Sequence, residues 1–162
     1  MALQVSKLEH WTLVTSDVER TKRFYTEVLG ATAINRDWPP SVSMGGSTID
    51  FFAANAEQSP EPGTLGQHHA YRIAFEDYDR WVEHLKGKDV PYKLASHGAR
   101  RMSIYVDDPD GYHLELTVAF DTDEEGRPER REQPLPVGDA LAWIVLGREG
   151  VRMGVRSEGS FV

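Results

Sequence analysis

Apolar and polar residues alternate through several short segments of this chain, and two longer stretches between them carry apolar positions at helical spacing. The first alternating segment covers about residues 8–14, Leu8-Glu9-His10-Trp11-Thr12-Leu13-Val14. Successive side chains of a strand point to opposite faces, so this pattern predicts a half-buried strand. Ser16 and Glu19 follow with the spacing of a capping box, and Val18, Tyr25, Val28 and Leu29 then recur at helical spacing with Phe24 beside them. Gly30 reads as the helix stop. Strand-like runs come next at 31–34, 41–44 and 48–52.

The same order recurs. A strand is predicted at about 69–75, then a helix on which Tyr78, Trp81, Val82 and Leu85 share a face, with Gly87 at its end. Runs at 92–94, 102–106 and 113–118 follow. Strand, helix and about three strands, repeated, indicate a duplicated supersecondary unit. Glu57-Gln58-Ser59-Pro60-Glu61-Pro62-Gly63 is the polar, proline-bearing join. The expected fold is α+β, with paired βαβββ modules at about 6–56 and 66–119 forming an open, cup-shaped mixed sheet with helices outside. Residues 1–120 make one domain. Residues 121–162 do not repeat and form a C-terminal extension, expected to be a lid or a dimer contact. Within it an acidic turn is expected at 121–126, an extended proline-bearing segment at 127–137 and an apolar docking segment at 140–146. Residues 150–162 read as a weakly ordered tail.

Alternation also selects the candidate chemistry. In the second module His69, Tyr71, Ile73 and Phe75 share the bulkier face, suited to packing on the helix, which leaves His68, Ala70, Arg72 and Ala74 facing the cavity. In the first strand Trp11 and Leu13 pack, while His10, Thr12 and Val14 face the cavity. In the last strand Leu114, Leu116 and Val118 pack, while His113, Glu115 and Thr117 point inward. His10, His68 and Glu115 thereby fall on one concave surface. Two imidazoles and one carboxylate are the donors of a facial triad that binds a divalent metal and leaves positions open. His84, beside Glu83 on the helix, reads as a surface residue, and His69 as structural.

Composition narrows the function classes. The 162 residues have 40% hydrophobic and 27% charged content, a globular balance, and a formal net charge of -8. That charge disfavours nucleic acid and anionic membranes as partners. No apolar run reaches the ~20 residues needed to span a bilayer, and the first residues lack a signal-peptide pattern. With no cysteine, thiolate nucleophiles and Cys-based zinc sites are excluded, so any metal must use His, Asp or Glu. The expected compartment is the cytoplasm.

His10-Trp11-Thr12-Leu13 through Asp17, Phe24-Tyr25, Leu29-Gly30, His68-His69-Ala70-Tyr71 and Asp108-Pro109-Asp110-Gly111-Tyr112-His113-Leu114-Glu115 together resemble the vicinal oxygen chelate superfamily. That superfamily includes glyoxalase I, bleomycin-binding proteins, fosfomycin-modifying enzymes and extradiol dioxygenases. The resemblance covers about residues 7–118. It implies a homodimer, a small-molecule substrate that chelates through adjacent oxygens, and a metal held by His10, His68 and Glu115. Fe(II) or Mn(II) is favoured, with Zn or Ni also compatible. Tyr105, ten residues before Glu115, resembles a substrate-side tyrosine of both the dioxygenases and the fosfomycin thiol transferases. His97, in Ser96-His97-Gly98, resembles the acid–base histidine of extradiol dioxygenases and otherwise reads as a solvated turn residue. Thr12 resembles a cavity threonine of the fosfomycin thiol transferases. Asp50 is expected on the substrate side or as a fourth ligand. Arg72 is expected to bind an anionic substrate group or to pair with Asp50 or another carboxylate, and His113 to face the substrate. The favoured expectation is extradiol ring cleavage of a catechol. The alternatives are thiol transfer or epoxide opening of the fosfomycin-resistance type, glyoxalase-type isomerisation, and a metal-free binding protein of the bleomycin-resistance type. The superfamily that the chain resembles closes such triads both within one chain and across a dimer, so the resemblance leaves both arrangements open.

Overall fold

The computed structural model describes residues 3–64, 66–96 and 101–119, together with the backbone of two further strands at 141–147 and 150–156. The chain divides into two compact units, Met1–Gly63 with Asp108–Tyr112, and Thr64–Asp107 with His113–Val162.

In the first unit the opening alternation becomes β1 (His10–Thr15). The helix after it is α1 (Val18–Arg23), continued by a π-helical turn at Phe24–Val28. The N-cap is Asp17 and not Ser16: the Asp17 carboxylate accepts a 2.9 Å hydrogen bond from the Arg20 backbone N–H. The Ser16 hydroxyl donates instead to the Asp110 carboxylate. Gly30 has φ +72°, a conformation open to glycine without strain, and ends the helix as expected. Three strands complete the unit, β2 (Thr32–Ile34), β3 (Ser41–Met44) and β4 (Ser47–Ala53). β4 runs parallel to β1, and the sheet order is β1-β4-β3-β2. Leu13, Val42, Ile49 and Phe51 are buried against Tyr25, Val28 and Leu29, with the Tyr25 ring 5.5 Å from Phe51 and 6.5 Å, edge-on, from Trp11.

The second unit repeats the order with β5 (His68–Arg72), α2 (Tyr78–Gly87), β6 (Tyr92–Ser96), β7 (Arg101–Asp107) and β8 (His113–Ala119). β5 is parallel to β8 just as β1 is to β4. Met102, Ile104 and Val106 of β7 and Leu114, Leu116 and Val118 of β8 are buried, as are Tyr78 and Leu85 of α2. Both sheets are mixed and open, and the fold is α+β with paired βαβββ modules, as the sequence indicated.

The sheet then extends beyond the expected module. β9 (Leu141–Gly147) adds antiparallel to β6, and β10 (Gly150–Arg156) pairs with β9, giving the order β10-β9-β6-β7-β8-β5. Residues 150–156, expected to be a weakly ordered tail, are therefore a strand. The overlooked signal lay in the sequence: Gly147 and Gly150, which pair, bracket two residues, and Val151, Met153 and Val155 alternate with other residues after them. The elements expected at 121–137 lie outside the described residues. Among the described residues, no helix is long and apolar enough to cross a membrane.

The Asp108-Pro109-Asp110-Gly111 turn is held by its two carboxylates. Asp108 accepts backbone N–H bonds from Asp110 and Tyr112, both at 2.9 Å. Asp110 accepts from the Thr15 hydroxyl at 2.5 Å, the Ser16 amide at 3.1 Å and hydroxyl, and Arg20 Nη2 at 2.9 Å. Burial pulls the Asp110 carboxyl upward, but these hydroxyls, the amide and the guanidinium outweigh it and hold the group below the usual range.

Two predictions follow from this turn. Asp110→Ala should lose about 2–3 kcal/mol in urea unfolding, the range for deleting hydrogen bonds to a charged acceptor. Asp108 behaves in the opposite sense, because burial pushes its carboxyl up to about 6. Ionising it costs folded-state stability, so its contribution falls as pH rises from the ordinary carboxylate range, about 3.9, through about 6. Asp108→Asn should therefore gain about 2 kcal/mol relative to the parent between about pH 4 and pH 7, read from paired urea midpoints. A constant difference across that interval would refute it.

Candidate functional site

The candidate residues fall in both units: His10, Thr12 and Asp50 in the first, and His68, Arg72, Tyr105, His113 and Glu115 in the second. His97 lies outside the described residues. Among the described residues, no three His, Asp or Glu side chains are gathered as a metal-holding group. The second unit does bring two of the expected ligands together.

Glu115 sits mid-strand on β8 and is 1% exposed. Its face also holds His68, Ser103, Tyr105 and Thr117, because β8 pairs with β5 on one side and β7 on the other. His68 Nε2 lies 2.9 Å from Glu115 Oε2. The Ser103 hydroxyl donates to Glu115 Oε1 and lies 3.3 Å from the Thr117 hydroxyl. Tyr105 is the cross-strand partner of Glu115, and its ring stands edge-on to His68 at 5.6 Å. Burial, then the charge of Glu115 and a hydrogen bond with it, push the Tyr105 phenol up to about 12, so it stays protonated and able to donate. His113 is the cross-strand partner of His68, and its Nδ1 lies 2.6 Å from Asp107 Oδ1. His69 pairs with Leu114 on the packing side, so alternation separates the adjacent histidines as expected. Arg72 is exposed at the end of β5.

A buried carboxylate is costly unless its oxygens are satisfied. Here Ser103 satisfies one oxygen and His68 approaches the other. The donor set suits a divalent cation: two donors about 2.1 Å from one metal, at adjacent coordination positions, lie about 3 Å apart. The 2.9 Å between His68 Nε2 and Glu115 Oε2 fits that spacing. His68 is the more accessible of the pair, with 27% side-chain exposure against 2% for Glu115.

In the first unit His10 and Thr12 lie exposed on β1, with His10 opposite Thr48 and Thr12 opposite Asp50. Asp50 occupies the position on β4 that Glu115 occupies on β8, but its surroundings differ. Asp50 Oδ1 accepts from the Ser41 hydroxyl at 2.7 Å and is paired with Arg36 Nη2. A guanidinium stays charged and bound, whereas a neutral imidazole can turn its lone pair to a metal.

Sequence reasoning missed Ser103 and Arg36. Ser103 was accessible to the alternation argument, since Met102-Ser103-Ile104-Tyr105-Val106 places it on the face of Tyr105. Arg36 was not, because it lies in an irregular segment between β2 and β3.

With this geometry in place, comparison with known proteins gives a consistent result. The sequence is 30% identical over 119 residues to the glutathione transferase FosA of Serratia marcescens, covering 70% of this chain and 82% of that protein. It is 25% identical over 124 residues to the metallothiol transferase FosB of Staphylococcus epidermidis, with the same coverage. Among solved structures, the fosfomycin resistance protein FosX of Listeria monocytogenes matches with TM-score 0.62 at 24% identity, covering 72% of this chain and 93% of that one. The oxidase ChaP-H2 matches with TM-score 0.60 at 20% identity, covering 71% and 94%. At these identities both structures show a shared fold. Residues 7–116 match the family profile described as Glyoxalase/Bleomycin resistance protein/Dioxygenase superfamily, and the chain belongs to that superfamily.

Proposed function

We propose that this protein is a metal-dependent transferase that adds a thiol to a small electrophile with adjacent oxygens, an epoxide of the fosfomycin type, using His10, His68 and Glu115 as metal ligands. The observation that carries this reading is the buried Glu115 carboxylate set 2.9 Å from His68 Nε2, in a chain 30% identical to a glutathione transferase. Mn(II) or Fe(II) is the proposed ion, with Zn or Ni also compatible with the donors. When bound, such an ion supplies Lewis-acid polarisation of the substrate oxygen.

The remaining roles belong to the chain. Ser103 fixes Oε1 of Glu115 and so orients Oε2 toward His68. Tyr105, kept protonated by its surroundings, donates to the substrate oxygen. In the reaction the thiol sulfur bonds to an epoxide carbon and the carbon–oxygen bond breaks. The released oxygen takes up a proton, and the thiol proton passes to solvent. Thr12, Arg72 and His113 are proposed to face the substrate. The protein is proposed to act as a cytoplasmic homodimer, in a compartment where a thiol co-substrate stays reduced.

The extradiol ring cleavage expected from the sequence depends on His97, outside the described residues, and on Tyr105, which both chemistries use. Thiol transfer is preferred because FosA of Serratia marcescens and FosB of Staphylococcus epidermidis, both similar in sequence, are both named as transferases. The metal-free binder has less support, because two of the expected ligands, His68 and Glu115, face each other 2.9 Å apart.

Two measurements check this. Metal analysis after loading should give about one equivalent for the parent protein. Glu115→Gln and His68→Ala should bind little, and Ser103→Ala should bind about 10- to 100-fold more weakly, as expected when a partner orienting a ligand is lost. Less than about a tenth of an equivalent in the parent would favour a metal-free protein. Separately, the metal-loaded enzyme should consume thiol in the presence of fosfomycin and stop when the ion is chelated. Yellow ring-cleavage products from a catechol panel in air, without thiol consumption, would replace this reading with the dioxygenase.

A further inference from the structure

One face of the first sheet is flanked by two side chains, Arg36 and Trp38, that the proposed metal chemistry does not use. By the pairing of β1 with β4, His10, Thr12 and Val14 share a face with Thr48, Asp50 and Phe52. The segment between β2 and β3 places two side chains against this row. Arg36 bonds to Asp50, and the Trp38 ring stands edge-on to Phe52 at 5.5 Å.

The Arg36 guanidinium is held on one edge. Nε donates to the Pro39 carbonyl at 2.9 Å and lies 3.1 Å from the Ser41 hydroxyl, and Nη2 reaches Ser41 and Asp50. Nη1 has no hydrogen-bond partner among the described residues, and the side chain is 38% exposed. Neutralising Asp50 accounts for the Nε–Nη2 edge. It does not account for the outward Nη1, nor for Trp38, a large apolar side chain left 68% exposed beside it. A guanidinium already fixed by three acceptors loses little further freedom on binding an anion, and its N–H geometry matches carboxylate and phosphonate oxygens. Because Asp50 balances its charge, such an anchor acts through directed N–H groups at short range. The indole beside it offers a flat apolar surface.

We propose that Arg36 and Trp38 form an anchoring subsite for a small organic acid, with the anionic group on Arg36 Nη1 and a flat or apolar body against Trp38. This rests on the reading of His10 as a metal ligand. Thr12, opposite Asp50, is two residues along β1 from His10, about 7 Å by strand rise. An acid held on Arg36 keeps its far end within reach of His10.

Calorimetric titration of the full chain, metal-loaded and EDTA-treated, with phenylphosphonate, methylphosphonate and benzyl alcohol tests this. Phenylphosphonate should bind saturably in both forms, and benzyl alcohol in neither. Arg36→Lys, which keeps a cation opposite Asp50 but loses the fork, should weaken both phosphonates about tenfold or more. Trp38→Ala removes a largely exposed ring together with its edge contact to Phe52, and should weaken phenylphosphonate while leaving methylphosphonate unchanged. Thermal melts matching the parent show that both variants fold. Unchanged phenylphosphonate affinity in either variant overturns the subsite, as does binding confined to the metal-loaded form, which would put the anion on the ion. Because the EDTA-treated protein carries the test, failure here is distinct from failure of the metal reading, which metal content alone decides.

Discussion

A carboxylate buried in the middle of a sheet sets the terms for everything around it. Glu115 is 1% exposed, and an ionised carboxylate taken out of water needs a donor for each oxygen. That requirement explains why the face of β7 and β8 opposite the hydrophobic layer holds Ser103, Thr117 and Tyr105 rather than a second apolar layer. It also explains why His68 leans across from β5. One oxygen goes to a hydroxyl that has no other chemistry to offer, and the second to an imidazole that can exchange its partner.

The two modules solve the same problem in different ways. Asp50 and Glu115 stand at equivalent places, each on the last strand of its module and each opposite the residue two beyond a histidine, Thr12 after His10 and Ala70 after His68. Ser41 serves Asp50 as Ser103 serves Glu115. The difference is the cation. Arg36 closes the first carboxylate with a permanent charge, while His68 leaves the second open to competition by a metal. The duplicated scaffold thus holds one carboxylate paired with a guanidinium and one facing an imidazole.

Much of this was legible in the chain. The period-two pattern gave the strands and separated His68 from His69, since a one-residue shift changes face. The Asp108-Pro109-Asp110-Gly111 turn announced β8 and therefore Glu115. Other features were hidden for identifiable reasons. Asp17 displaced Ser16 as helix cap because Asp110, distant in sequence, claimed the serine hydroxyl. Residues 150–156 looked like a tail because their partner at 141–147 reads in the sequence only as an apolar docking segment, and that segment becomes a strand by pairing with the β6 edge.

The sequence by itself determined the duplicated α+β architecture, the face of each strand and the identity of the metal-ligand candidates, because those follow from periodicity and local turn chemistry. Only the tertiary structure decided which groups neutralise each buried carboxylate. Ser41, Ser103 and His68 reach their carboxylates across strands and Arg36 reaches Asp50 from the segment between β2 and β3, over separations of 9 to 47 residues. Such pairings are set by sheet register and by where an irregular loop lays its side chain, and neither is encoded in any local pattern.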